Sequence, residues 1–158
     1  MKYISILLLL ICYSTGNILA QDKPTFIVEI ERVFQEKEPR WKIERKNVQN
    51  ESSFFKEEIV FRSGKVQAAV SIGSWQREKD AHDVFEGEAI AFNNTMGARR
   101  IKKRLPNLGD ENYIWTNRGS EAWPMIKFRK GKVYVTVFAP NVAVAKRFAQ
   151  YIAKQISL

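Results

Sequence analysis

His82 is the only histidine in the chain, so acid–base chemistry near neutral pH would have to be built around it. It falls in K-D-A-H-D-V-F, residues 79–85, where the apolar spacing is helical. Neighbours in sequence do not face each other on a helix, so Asp83 is badly placed to orient the ring. Ser71 and Ser74 are close along the chain, but no G-x-S-x-G turn marks a nucleophile. The acid pairs Glu57/Glu58 and Glu86/Glu88 become an acid–base couple only if tertiary structure brings them together. Asp110-Glu111-Asn112 is too small an oxygen cluster for calcium, and Asp110 and Glu111 read as turn residues after Gly109. One histidine and one cysteine, Cys12, exclude the usual zinc sites. The scattered glycines form no phosphate loop. No metal and no cofactor is expected, and His82 is expected to be a surface residue.

Charge is the other chemistry on offer. Arg99, Arg100, Lys102, Lys103 and Arg104 fall within six positions. Residues 21–98 carry 12 basic and 14 acidic side chains, whereas residues 99–158 carry 13 and 3, so the whole excess lies in the last sixty. An anionic partner should meet that part of the chain. Gly97 and Pro106 bracket the cation run, which reads as a solvated connector tacked down by Ile101 and Leu105. The five cations are nevertheless the candidate binding residues, together with Trp75, the aromatic placed to line a groove. The other large aromatics are expected in the core.

The elements that must position these residues follow from periodicity. Phe61-Arg62-Ser63-Gly64-Lys65-Val66 and Phe128-Arg129-Lys130-Gly131-Lys132-Val133 begin two matching hairpins, offset by 67 residues. Glycine permits the turn and alternating β-branched runs follow it. Convergence on a good turn accounts for the match as readily as duplication does. Ala81, Val84, Phe85, Ala89 and Phe92 form one helical stripe, and Ala145, Phe148, Ala149, Ile152 and Ile156 a second, with Asn141 as its N-cap. Phe26-Val28-Ile30 alternates like a strand, residues 41–48 are ambiguous, and residues 36–39 and 47–53 read as loop. Tyr113 and Trp115 share one face of a strand that leads through 117–120 into a meander. The expectation is an α+β fold, a single domain with a mostly antiparallel sheet of hairpins and two packed helices, ββα repeated.

Residues 1–20 have the layout of a secretory signal: Lys2, an apolar run over 3–13, and small Ala20 before the cut. The run is too short for a membrane span, and bulky Ile11 before Cys12 argues against lipidation. Cleavage leaves residues 21–158 as the mature domain, without cysteine and without a transmembrane helix. An exported chain with no disulfide points to the bacterial periplasm or the cell exterior.

The stretches Leu108-Gly109-Asp110-Glu111-Asn112-Tyr113-Ile114-Trp115 and Phe128-Arg129-Lys130-Gly131-Lys132-Val133 resemble a pattern of uncharacterised exported bacterial proteins, L-G-D-E-A-Y-x-W followed by F-R-K-G-N-V. Asn112 and Lys132 depart from it. The order of elements also looks like the Mog1/PsbP-like fold, whose members are mostly binding or assembly factors. The resemblance implies fold rather than catalytic residues. The expected function is a non-catalytic binding or assembly module of the envelope. Its partner would be an anionic polymer, lipid headgroups or another envelope protein, and not nucleic acid. The alternative is a small exported hydrolase using His82 or a carboxylate pair. If the cation run holds an anionic partner, Gln at Arg99, Arg100, Lys102, Lys103 and Arg104 abolishes binding to anionic vesicles at low salt, where the Debye length reaches about 30 Å at 0.01 M. Unchanged binding removes the run from the site.

Overall fold

Two glycines set the sheet. Gly64 (φ +60) and Gly131 (φ +56) each open a two-residue loop, so that Ser63 pairs with Val66 and Lys130 with Val133. The structure, a computed structural model, describes residues 26–96, 100–117 and 120–156. The expected signal segment, Arg99, and the middle of the 117–120 turn lie outside the described residues.

The elements run α1 (Phe26–Lys37), β1 (Lys42–Asn50), β2 (Phe54–Ser63), β3 (Val66–Trp75), α2 (Glu78–Met96), β4 (Arg100–Lys103), β5 (Glu111–Asn117), β6 (Ser120–Lys130), β7 (Val133–Phe138) and α3 (Val142–Gln155). The strands form one antiparallel sheet in the order β1-β2-β3-β7-β6-β5-β4. The architecture is α+β in a single domain. The matching hairpins meet at the centre, where their equivalent residues Val70 and Val137 pair directly.

Strand alternation divides the sheet into two unlike faces. Ile59, Phe61, Val70, Ile72, Ile126, Phe128, Val135 and Val137 point to one, where they bury against Ile30 and Phe34 of α1 and Phe148, Ala149 and Ile152 of α3. Phe34 stacks on Phe61 at 4.4 Å and meets Phe148 edge-on at the same distance. Asn141 caps α3, its side chain accepting from the Val144 backbone N–H at 3.0 Å. The opposite face carries Tyr113, Trp115, Met125, Lys127, Arg129, Tyr134 and Phe138, and only α2 packs there.

Three expectations need correction. Residues 26–30 are helical, because Ile30, Val33 and Phe34 continue the apolar spacing at three and four. Val28, which alternation would bury, is 60 % exposed. Among the described residues the domain therefore has three helices, not two. Residues 36–37 finish α1 and residues 47–50 lie in β1, so the loops around them are shorter than expected. Finally, the run expected to be a solvated connector includes an edge strand, Arg100–Lys103, with Lys102 opposite Trp115 and Lys103 opposite Ile114. Charged residues on an edge strand discourage sheet-to-sheet pairing.

Truncating the aromatic knot tests this core assignment. Phe148→Ala should cost about 3–5 kcal/mol in urea unfolding. Ile90→Ala, on the exposed side of α2, should stay within about 0.5 kcal/mol.

Candidate functional site

Beneath α2 the sheet presents Lys127 and Arg129 where the other face is mostly apolar. The Arg129 side chain is 9 % exposed and gathers partners from three elements. Its Nε donates to Glu111 Oε2 at 2.6 Å, and its Nη1 donates to Glu78 Oε1 at 3.0 Å and to the Gly131 carbonyl at 2.7 Å. Asp110 Oδ2 lies 3.4 Å from the same nitrogen and also accepts from the Gly131 backbone N–H at 2.8 Å. Asp110 in turn donates its own N–H to the Arg129 carbonyl at 2.8 Å. Gly109 makes this approach possible. Its φ is +65, and a Cβ would stand 2.3 Å from the Arg129 carbonyl oxygen. Asn112, where the resembled pattern has alanine, accepts from the Leu105 N–H at 2.7 Å and donates to the Leu108 carbonyl at 2.6 Å.

The expectation that Asp110 and Glu111 are only turn residues is therefore corrected: they clasp Arg129. His82 belongs to the same cluster, its Nδ1 lying 2.9 Å from Glu111 Oε1. Asp83 does not orient it but pairs with Lys79. Further along α2, Lys127 pairs with Glu88, which also accepts from the Tyr134 hydroxyl at 2.5 Å. Thr136 donates back to the Tyr134 oxygen at 3.0 Å.

Burial pushes the Glu111 carboxyl up, but hydrogen bonds from Arg129 and His82 outweigh it and hold the group below its ordinary value. Glu88 shows the same contest, with burial opposed by Lys127 and Tyr134 and the net shift downward. Burial raises the Tyr134 hydroxyl far above its ordinary value, so it stays a donor to Glu88. The acids and bases under α2 thus neutralise one another. Among the described residues His82 contacts only Glu111 by hydrogen bond, and no serine or threonine meets its ring. No three His, Cys, Asp or Glu side chains cluster as metal ligands among the described residues.

The second feature is an open groove. Among the described residues three helices cover the two faces unevenly, and α2 packs on β3, β6 and β7 and leaves the β1–β2 half of its face open. There a groove of about 630 Å³ is lined by Glu44, Arg45, Val60, Gln67, Ala69, Trp123 and Phe138, among others. It crosses from β1 to β6, and a neighbouring hollow shares Arg45 and Val60 with it. A bulge between Ile43 and Arg45 places Glu44 and Arg45 together opposite Val60. Glu44 accepts from Arg62 Nη2 at 2.5 Å and from Gln67 Nε2 at 2.7 Å, and the Arg62 hydrogen bond draws its carboxyl below the ordinary value. Among the described residues Arg45 has no ion-pair partner. Trp123 is 43 % exposed and holds φ +52, its N–H donating to the Pro140 carbonyl at 3.1 Å. A bulky residue at positive φ costs on the order of 1–3 kcal/mol, and such strain gathers at functional sites.

The structure separates the expected binding residues. Arg104 is exposed beyond the end of β4 and Arg100, Lys102 and Lys103 lie in that edge strand. Trp75 lies over Gly73, stacked on Phe54 at 6.0 Å and near Tyr134 at 6.1 Å, outside the groove lining. Trp123 was not separable by sequence from the other tryptophans, because no pattern announces its positive φ.

Two predictions follow from the charged layer. Both carboxyls are lower in the folded state than in the unfolded chain, so the unfolded chain binds more protons as pH falls. Their contribution is full above the unfolded value and is lost through the folded ones. Unfolding free energy should therefore decline below about pH 5, and Glu88→Gln should flatten that decline in urea titrations. Gly109→Ala should destabilise by about 2 kcal/mol or more, from strain at positive φ and the carbonyl clash. No protein-family model, curated protein or solved structure matches the chain.

Proposed function

We propose that the protein is a non-catalytic binding module exported to the bacterial envelope, and that the bare half of its sheet is the binding surface. One observation carries this reading: among the described residues, an exposed tryptophan at positive φ rims an open groove that also holds Arg45, which makes no direct ion pair there. The signal-like layout of residues 1–20 and the resemblance to exported bacterial proteins support the location. No helix among the described residues is long and apolar enough to cross a membrane. Of the expected partners, an anionic one suits this groove, with Arg45 as its first contact there.

A hydrolytic reading has one observation in its favour, the orientation of His82 by Glu111 at 2.9 Å. That dyad lacks a third member, since the Glu111 carboxylate is already held by Arg129 and no hydroxyl meets the ring among the described residues.

A backbone amide NMR titration with anionic vesicles, an acidic oligosaccharide and an acidic peptide separates the two readings. At least one should shift Arg45, Val60, Gln67, Ala69 and the Trp123 indole together. Ester, glycoside and peptide substrates should show no turnover, and His82→Ala should leave the shifts unchanged. Turnover abolished by His82→Ala, with an undisturbed groove, would overturn the proposal.

A further inference from the structure

We infer that the groove takes an acidic glycan, an oligosaccharide whose rings carry carboxylates. This rests on the binding-module reading and names its ligand class. The groove runs across the strands, through β1, β2, β3 and β7 to β6. Four strand spacings of about 4.8 Å make roughly 19 Å, the reach of a short extended chain rather than of one small molecule.

The lining matches such a chain group by group. Trp123 offers a flat exposed ring at one end. The negative π-face of an indole attracts the positively polarised C–H faces of a sugar ring. Arg45 sits at the β1 end, near the carboxylates of Glu44 and Glu58, which are held at short range by Arg62 at 2.5 Å and Lys56 at 2.8 Å and leave the Arg45 fork without a direct ion pair among the described residues. A guanidinium fork fits a carboxylate bidentately. Gln67 uses its Nε2 on Glu44 at 2.7 Å, which leaves its amide oxygen to accept from a ring hydroxyl.

Other occupants fit less well. Protein partners anchor through desolvated pockets, and the floor of small residues, Val60 and Ala69, offers no such hole. An acyl chain needs a dry cleft, and this groove is open along its length. A strand joining the β1 edge would lie along the sheet and not across it.

Isothermal titration with trigalacturonate at low salt tests the inference, with neutral maltotriose as control. The acidic trimer should bind and the neutral one should not. Arg45→Gln should weaken binding about tenfold or more. Trp123→Gly relieves the positive φ, so its urea stability should not fall while binding is lost; Trp123→Phe should retain much of it. The glycan assignment is overturned if trigalacturonate fails to bind at millimolar concentration, or if it binds both Arg45→Gln and Trp123→Gly like the parent. When an acidic peptide shifts the groove amides and trigalacturonate does not, the glycan assignment fails and the binding module stands. When no anionic probe shifts the groove, both fail.

Discussion

Arg129 is the constraint around which the α2 face is organised. A guanidinium cannot be left buried without partners, because the cost of desolvating an unpaired charge is several kcal/mol. Placing it on the interior strand β6 obliges β5 to supply Glu111, the preceding loop to supply Asp110, and α2 to supply Glu78. The two sequence stretches that stand out, around Gly109 and around Gly131, are thus the two halves of one clasp. Gly109 is needed for backbone approach, Gly131 for the turn, and Arg129 for the charge that joins them.

This polar layer governs how the face can be covered. The opposite face is closed by α1 and α3 through aromatic and aliphatic packing. Under α2, Phe85, Ala89 and Phe92 make apolar contact with residues such as Tyr113, Trp115 and Tyr134, while Glu78, His82 and Glu88 engage charged or hydroxyl groups. The helix is tied to the β5–β6–β7 side by these pairs. It cannot slide toward β1–β2 without unpairing Arg129 and Lys127. The bare half of the sheet is therefore a consequence of where the charges sit, and the bulge that brings Glu44 and Arg45 to the same opening furnishes it with polar groups.

Much of the frame was legible in the sequence because it rests on local rules. The glycine turns, the stripes of α2 and α3, the Asn141 cap and the shared face of Tyr113 and Trp115 need only periodicity and backbone conformation. Phe26-Val28-Ile30 misled because five residues satisfy a period of two before Val33 and Phe34 reveal a period of 3.6. The Arg99–Arg104 run drew attention through composition, yet its strand is fixed by pairing with β5, which no local rule announces. Long-range pairing also hid the clasp: Glu111 and Arg129 are 18 residues apart, and only the register of β5 on β6 puts them together. The groove was illegible for the same reason, since its lining comes from five strands and their flanks.

The central claim is that ligand meets the bare β1–β2 half of the α2 face, and hydrogen–deuterium exchange measures this most directly. With trigalacturonate bound, protection should rise over β1, β2 and the residues around Trp123, and α2 should exchange as before. Protection centred on α2 around His82, with β1 and β2 unchanged, would contradict the account.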